Sequence, residues 1–251
     1  MGDHDKRAKE MVMNKIVEHV YIVAHKEDVS NLQQALVDEG LASTVVRGPY
    51  TEEQKGYSLA IRCLVNHKNA WELAAAHEGF VMVVEADFVP VKRFGHLPMP
   101  FDPKFCPNAF GFLYAGGPIF YHLDELGFPY GHACTMVAYM IGPKAVAALL
   151  QFFEEEMSRE DPGRYSLWDV SVSVKLRWEK GIRCYLPFRQ YGEHGGIANP
   201  EHGINSIRTW HQADILYGPL SFLPPYARGS ILRYKAIRFR GYLRGWYRLV
   251  A

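Results

Sequence analysis

The sequence predicts a single α/β domain with a mostly parallel central sheet flanked by helices. Apolar strand candidates alternate along the chain with helical segments, which is the order found in parallel α/β sheets. Residues 80–84 (FVMVV) are apolar throughout, as in a central strand that is buried on both faces. The 251 residues, 48% hydrophobic and 22% charged, are enough to bury a core of that kind.

The elements are predicted from apolar periodicity and from residues that favour helix ends. Strands are predicted at residues 19–25, 43–46, 80–84, 109–115 and 182–186. Helices are predicted at residues 30–39, 58–77, 144–157 and 167–180, with Ser30 and Ser166 as N-caps and Pro143 before the third. Gly40 and Gly181 end the first and last of these helices. In such sheets, ligands bind beyond the carboxyl ends of the strands.

Cysteine usage and hydropathy restrict the class of protein. The four cysteines are scattered and form no CxxC pair, so the sequence predicts neither a zinc knuckle nor a disulfide framework. Free thiols are typical of a reducing compartment. No secretory signal and no run of eighteen apolar residues is visible. We therefore expect a cytoplasmic protein.

An acidic pair directly follows the buried strand at 80–84. Glu85 and Asp87 are two residues apart, so their side chains point the same way if the strand stays extended. Such a pair can hold Mn²⁺ or Mg²⁺, which prefer oxygen ligands and can bridge the phosphates of a nucleotide sugar. The alternative is that both acids end a turn and face water.

The residues around this pair resemble a known family. Residues 63–71 (CLVNHKNAW) precede the apolar strand, and residues 138–145 (AYMIGPKA) come later, ahead of Asp169. This arrangement resembles glycosyltransferase family 25, the lipopolysaccharide-biosynthesis galactosyltransferase type, over roughly residues 21–186. There a G-C-x-x-S-H-x-x-x-W helix precedes a strand that ends in Glu-Asp-Asp. The resemblance implies a GT-A fold, a UDP-sugar donor and inversion at the anomeric carbon.

The chain departs from that family pattern at several positions. Arg62 stands where the family has Gly, and Asn66 stands where it has Ser. Ala86 replaces the middle acid of the Glu-Asp-Asp motif. Residues 22–25 lack the Asn-Leu-Asp-Arg run with which the family begins. These departures leave the donor sugar open.

Four residues are candidates for contact with the nucleotide sugar. His67 and Trp71 are four residues apart and share one helical face, where they either back the nucleotide pocket or belong to the core. His25 ends the first predicted strand. Gly117 lies in residues 115–118 (AGGP), which either pass the ligand or form a plain tight turn.

Asp169 is the candidate general base. An inverting transferase needs a carboxylate to take the proton of the acceptor hydroxyl. Asp169 opens a predicted helix, where an acid also complements the helix dipole. Glu160 and Asp161, on a loop, are weaker candidates for the same role.

A glycine-rich stretch at residues 190–199 (QYGEHGGIAN) supplies two more candidates. Its glycines allow the backbone to approach a ligand closely. His194 is the predicted third metal ligand, and Asn199 is predicted to orient a sugar hydroxyl. The alternative is a glycine-rich surface turn.

The last 25 residues differ from the rest of the chain in charge. Residues 227–251 hold seven basic residues and no acid, whereas residues 1–226 hold 21 basic and 27 acidic residues. We therefore divide the chain into a GT-A-like domain at 1–226 and a basic tail at 227–251. In a helix at 231–250, apolar and aromatic residues fall on one arc and most arginines on the other. A helix of this type suits the surface of an anionic bilayer. Packing on the domain is the alternative, and nucleic-acid binding is the least favoured.

Together these features predict a metal-assisted hexosyltransferase at the inner face of the membrane. The predicted donor is a UDP-hexose, and the predicted acceptor is a glycan or a lipid-linked glycan. Two other functions remain open. Ala86 favours a catalytically degenerate GT-A protein that acts as a partner in glycan assembly, and a nucleotidyltransferase has similar metal and phosphate requirements.

Overall fold

The computed structural model of the chain describes residues 11–159, 161–196, 201 and 212–250. Its strands are β1 (Val17–Val23), β2 (Ser43–Val46), β3 (Phe80–Glu85), β4 (Phe88–Pro90), β5 (Phe110–Tyr114), β6 (Ile119–Leu123), β7 (Pro129–His132), β8 (Ala138–Ile141), β9 (Cys184–Tyr185) and β10 (Gly192–His194). Its α-helices are α1 (Met13–Ile16), α2 (Ser30–Asp38), α3 (Leu59–Ala74), α4 (Pro143–Arg159), α5 (Trp168–Trp178) and α6 (Ile231–Val250).

A mixed sheet of eight strands forms the centre of the described structure, in the order β2-β1-β3-β8-β5-β9-β7-β6. Six of these strands run in one direction, and β7 and β8 run against them. This confirms the predicted α/β class with a mostly parallel sheet flanked by helices. Strands β4 and β10 form a separate antiparallel ribbon.

Strand β3 is buried on both faces, as its apolar sequence predicts. Val81 and Val83 contribute to one hydrophobic cluster, which includes residues of α3, α4 and α5. Met82 and Val84 contribute to a second cluster on the opposite face, which includes residues of α2. Because successive side chains of a strand point to opposite faces, β3 joins the two layers of the core. Its carboxyl end is therefore held rigidly.

Most of the predicted elements are confirmed, with shifted ends. Ser58 caps α3, since its Oγ accepts a hydrogen bond from the N–H of Ile61 at 3.2 Å. Ser166 is not the N-cap of α5, because that helix begins at Trp168, after Leu167. Ser30 is the first helical residue of α2, and its own N–H donates to Asp28 Oδ1. An Asx turn thus opens α2 in place of the predicted serine cap.

The basic tail forms α6, which packs on the rest of the protein. Ile237 and Gly241 are buried on its inner side. A side chain at position 241 would collide with the backbone oxygen of Ala213, so glycine allows the close approach there. The described part of the basic tail therefore has structural contacts with the preceding domain. Among the described helices, α6 included, none has the length and apolar character needed to cross a bilayer.

Candidate active site

The predicted acids lie where β3 turns into the β4–β10 ribbon. Glu85 ends β3, and Asp87 lies in the turn before β4. His194 pairs with Phe88 in the ribbon, which brings it beside that turn. The N–H of Gly195 donates to the backbone oxygen of Asp87 at 2.7 Å. A side chain at position 195 would meet the same oxygen, so glycine allows this contact.

Glu85, Asp87 and His194 each offer one potential ligand atom, and these atoms lie within 4.8 Å of one another. His194 Nε2 is 3.3 Å from Asp87 Oδ2. Octahedral ligands at about 2.1 Å from a small divalent cation lie about 3 Å apart, so this spacing fits a shared cation. Two carboxylates and an imidazole are a suitable ligand set for Mn²⁺ or Mg²⁺. The structure thus brings together the three residues that the sequence predicts as metal ligands.

A chain of buried hydrogen bonds orients Glu85. Trp71 Nε1 donates to the hydroxyl oxygen of Tyr139 at 2.7 Å, and that hydroxyl contacts His67 Nδ1 at 2.8 Å. His67 Nε2 lies 3.1 Å from Glu85 Oε1. The indole N–H is only a donor, so the tyrosine oxygen accepts from it. With the Tyr139 hydroxyl at Nδ1, the Nε2 side of the His67 ring faces Glu85, where its N–H donates to the carboxylate.

This network shows the surroundings of His67 and Trp71, for which the sequence left open either the nucleotide pocket or the core. Both side chains are fully buried, so Trp71 reaches the site only through Tyr139 and His67. Burial by itself raises the pKa of Glu85. The hydrogen bond from His67 and electrostatic attraction to His67 and His194 outweigh burial and hold that pKa below its usual value. His67 therefore keeps Glu85 ionised in a low-dielectric position.

Asp169 belongs to the same site. It lies in the first turn of α5, and burial followed by repulsion from the Glu85 carboxylate raises its pKa to about 7. The alternative base Asp161 is exposed and contacts Arg164 at 3.5 Å. Glu160 lies outside the described residues. A carboxyl with a pKa near neutrality can accept a proton at physiological pH.

Cys63 lies among the same carboxylates, and the sequence analysis assigned it no role. Its Sγ is 3.7 Å from Glu85 Oε1 and, with His67, completes a second group of three potential ligands. Burial, then the charges of Glu85 and Asp169, raise the pKa of this thiol well above its usual value. A protonated thiol donates to a carboxylate and is a poor metal ligand. Cys63 therefore acts as a hydrogen-bond donor to the Glu85 carboxylate and not as a metal ligand.

The remaining predicted residues that the structure describes are not part of the cluster formed by Glu85, Asp87 and His194. His25 is exposed just beyond β1, with its ring 5.5 Å from that of Tyr50, and its carbonyl accepts from Arg47 at 2.7 Å. Gly117 is exposed with φ of 57° and lies near Cys134. Asn199 lies outside the described residues. Tyr50 and Arg47 were missed by the sequence analysis, because they belong to a loop without a recognisable motif.

A cavity of about 320 Å³ opens beside Asp87. It lies between the start of α2, the turn after β3 and the segment that leads to α6. Its lining includes Asp28 and Asn31 on one side and Phe222, Pro225 and Arg228 on the other. This volume is at the small end of the range for ligand pockets.

Comparisons with known proteins give similar solved structures but no match by sequence. No protein-family model matches the chain, and no curated protein sequence matches it. Among solved structures it is similar to a glycosyltransferase involved in the glycosylation of the major capsid of PBCV-1. That similarity has a TM-score of 0.39 and 10% sequence identity, and it covers 68% of this chain and 82% of the other.

Proposed function

We propose that this protein is a glycosyltransferase that uses a nucleotide-sugar donor and a divalent cation. Glu85, Asp87 and His194 would hold Mn²⁺ or Mg²⁺, and Asp169 would act as the general base. The observation that carries the proposal is the convergence of Glu85, Asp87 and His194, which come from β3, the following turn and β10. Asp169 of α5 lies within electrostatic reach of Glu85. A bound cation would offset the negative charge that develops on the departing diphosphate.

The donor and acceptor in this proposal follow the resemblance to glycosyltransferase family 25. The donor is a UDP-hexose, and its sugar is transferred with inversion to a glycan or lipid-linked glycan at the cytoplasmic face of the membrane. Asp169 takes the proton of the acceptor hydroxyl while that oxygen attacks the anomeric carbon and the bond to the diphosphate breaks. Without a metal, burial and the Glu85 charge raise the pKa of Asp169 to about 7, and a cation bound to Glu85 would lower that pKa and favour the ionised form that accepts the proton.

The nucleotide has two neighbouring surfaces on which to bind. The cavity beside Asp87 offers Arg228 for a phosphate and Asn31 as a hydrogen-bonding group. The ends of β1 and β2 offer the rings of His25 and Tyr50 for stacking against a base. Both surfaces flank the carboxyl end of β3, where open α/β sheets bind their ligands.

The first test measures ligand-dependent thermal stability with a panel of nucleotides and nucleotide sugars, with and without Mn²⁺. UDP or a UDP-hexose at about 100 times its Kd should stabilise the wild type by about 2.7 kcal/mol, and only with the metal present. Asp87→Ala should lose this metal-dependent shift and keep its fold. Asp161→Ala is the matched control, because it removes an exposed acid outside the site and should keep the shift.

Turnover separates the base from the metal ligands. Asp169→Asn should keep the Mn²⁺-dependent shift and lose release of UDP from the donor by at least about 100-fold. Unchanged Mn²⁺-dependent binding in Asp87→Ala would refute the metal assignment. A shift with nucleoside triphosphates alone would favour a nucleotidyltransferase. Binding without turnover of any UDP-hexose would favour a degenerate protein.

A further inference from the structure

Helix α6 packs through its basic side. The Arg238 guanidinium donates to Glu193 Oε2 at 2.6 Å and to the carbonyl oxygens of Ala213 and Asp214. Arg244 Nε donates to the Asp214 carboxylate at 3.0 Å. Gly241 lies between these arginines along the helix and Gly245 follows Arg244, and both glycines allow close contact with residues 213–215. Most helices on a protein surface instead turn their apolar stripe toward the core.

The opposite side of α6 presents an apolar ridge to solvent, which we define as Leu232, Phe239, Leu243 and Trp246. Their side chains are 76%, 63%, 47% and 56% exposed, respectively. At about 100° per residue, these four positions fall within an arc of roughly 60° that points away from the buried Gly241. The ridge therefore lies at the centre of the outer face, where a soluble helix normally carries charged residues.

Aromatic and basic residues border the apolar ridge. Tyr242 and Tyr247 are exposed, as are Arg233, Lys235 and Arg240. No acidic residue occurs between positions 227 and 251. Tyrosine and tryptophan rings favour the boundary between lipid and water, and lysine and arginine extend their charges toward anionic headgroups.

We propose that the outer face of α6 is a docking surface for an anionic phospholipid bilayer, with the apolar ridge buried among the headgroups and acyl chains. The charge pattern favours this occupant over others. A second copy of the chain would bring two sets of uncompensated basic side chains together. Nucleic acid requires basic residues at the centre of the contact, where α6 carries Leu232, Phe239 and Leu243.

Docking through the apolar ridge would also fix the position of the candidate active site. The Arg238–Glu193 contact joins the inner face of α6 to β10, and the next residue of β10 is His194. The bilayer and the site would thus lie on opposite sides of one helix that is firmly attached to the domain. This proposal is independent of the proposed glycosyltransferase activity, because lipid binding is measured without donor or acceptor.

Vesicle sedimentation of the full chain tests the proposal. The wild type should sediment with vesicles of equal parts phosphatidylcholine and phosphatidylglycerol, and at least about tenfold less with phosphatidylcholine alone. Phe239→Ser/Trp246→Ser should reduce binding to the anionic vesicles by at least about tenfold. Phe105→Ser/Trp178→Ser is the matched control, since it removes two aromatic side chains that are 63% and 69% exposed elsewhere.

Each result decides for or against the proposal. Loss of binding in the ridge variant alone, with far-UV circular dichroism and Tm as in the wild type, supports it. If the wild type does not sediment, or if ridge and control variants bind equally, the proposal is wrong. Wild-type dimerisation that the ridge substitutions abolish, without vesicle binding, would assign the surface to a second copy of the chain. Arg233→Gln/Arg240→Gln should lower anionic binding and make it less sensitive to salt.

Discussion

Two neighbouring residues of β10, Glu193 and His194, belong to two different clusters of charged side chains. The clusters differ in how their negative charge is balanced. Glu193 is fully buried, and its carboxylate meets the Arg238 guanidinium at 2.6 Å and the Tyr226 hydroxyl at 3.2 Å. His194 faces the other centre, where Glu85, Asp87 and Asp169 come together with histidines and no lysine or arginine among the contacts described above. The first centre has a permanent cation, whereas the described contacts of the second bring carboxylates together with histidines.

The difference indicates what each centre does for the protein. A buried carboxylate paired with arginine and hydrogen-bond donors is stable in the folded protein and mainly holds two elements together. Several carboxylates close together destabilise the folded state, as the raised pKa of Asp169 indicates. Such an arrangement persists where a bound cation or a proton-transfer step requires it. We therefore assign structure to Glu193 and chemistry to the opposite centre.

The largest effect on stability is expected from removing the Arg238 guanidinium, which balances the charge of Glu193. Arg238→Met should lower the free energy of unfolding by about 3 kcal/mol, because it leaves Glu193 buried without its partner. Arg240→Met is the matched control, since Arg240 is exposed on the same helix, and it should change stability by less than about 0.5 kcal/mol. Chemical denaturation of both variants measures the difference.

The pH dependence of Arg238→Met provides a second measurement. Burial raises the pKa of Glu193 even beside Arg238, whose charge lowers it, and loss of that charge would raise it further. A raised folded-state pKa means that protonation favours the folded protein, so the variant should regain stability as pH falls through that pKa. A loss of unfolding free energy that stays constant between pH 8 and pH 5 would contradict this account.

Deleting α6 would also remove Arg238 and its contact with Glu193. Substitutions on the exposed face of α6 are therefore better probes of lipid binding than deletion of the helix.

The sequence predicted the strands that local patterns define, and it missed those that depend on pairing. Strand β3 has an apolar run that occurs in few other contexts, and it was found within one residue. Strand β6 (IFYHL) pairs with β7 and has five exposed residues, so no burial pattern marks it. Strand β8 has four residues and derives its central position from β3 and β5. Such pairing depends on distant segments.

The candidate site divides in the same way. Glu85 and Asp87 could be predicted, because a strand end in an α/β sheet places them at the ligand-binding edge. The proximity of His194 depends on the β4–β10 ribbon, which local periodicity does not predict. The Tyr139 hydroxyl could not be assigned, because its partners Trp71 and His67 lie on a different element. The sequence likewise does not predict that the apolar side of α6 faces outward. That orientation depends on the contacts of Arg238 with Glu193, Ala213 and Asp214, which lie in other segments of the chain.

A smaller effect is expected from the hydrogen-bond network behind Glu85. Tyr139→Phe removes the hydroxyl that accepts from Trp71 Nε1 and contacts His67 Nδ1. Both partners stay buried, so stability should fall by about 2 kcal/mol. Tyr130→Phe, at a less buried tyrosine of the same sheet, is the control and should change stability by less than about 0.5 kcal/mol. Equal stability of both variants would mean that the network does not orient His67.

The smallest and most specific effect is expected from Asp169→Asn in metal-free protein. Because burial and Glu85 raise the pKa of Asp169 to about 7, the folded wild type binds a proton there that the unfolded chain releases at lower pH. The contribution of that proton to stability is lost as pH rises through about 7. Asparagine keeps the size of the side chain and never ionises. The variant should therefore be more stable than the wild type at pH 8.

The expected gain is about 1 kcal/mol at pH 8 and less than half of that at pH 5, because the gain grows from the ordinary pKa of 3.8 in the unfolded chain up to the folded-state pKa of about 7. Three pKa units would give roughly 4 kcal/mol in a closed interior, but Asp169 is partly exposed and water screens its repulsion from Glu85. Thermal unfolding with a chelator present, at both pH values, measures the difference. Asp161→Asn is the control, because that exposed acid contacts Arg164 and should give no gain at pH 8. A gain of equal size at pH 5 and pH 8 would show that burial and the charge of Glu85 do not raise the pKa of Asp169. Asp169 would then no longer be supported as the general base.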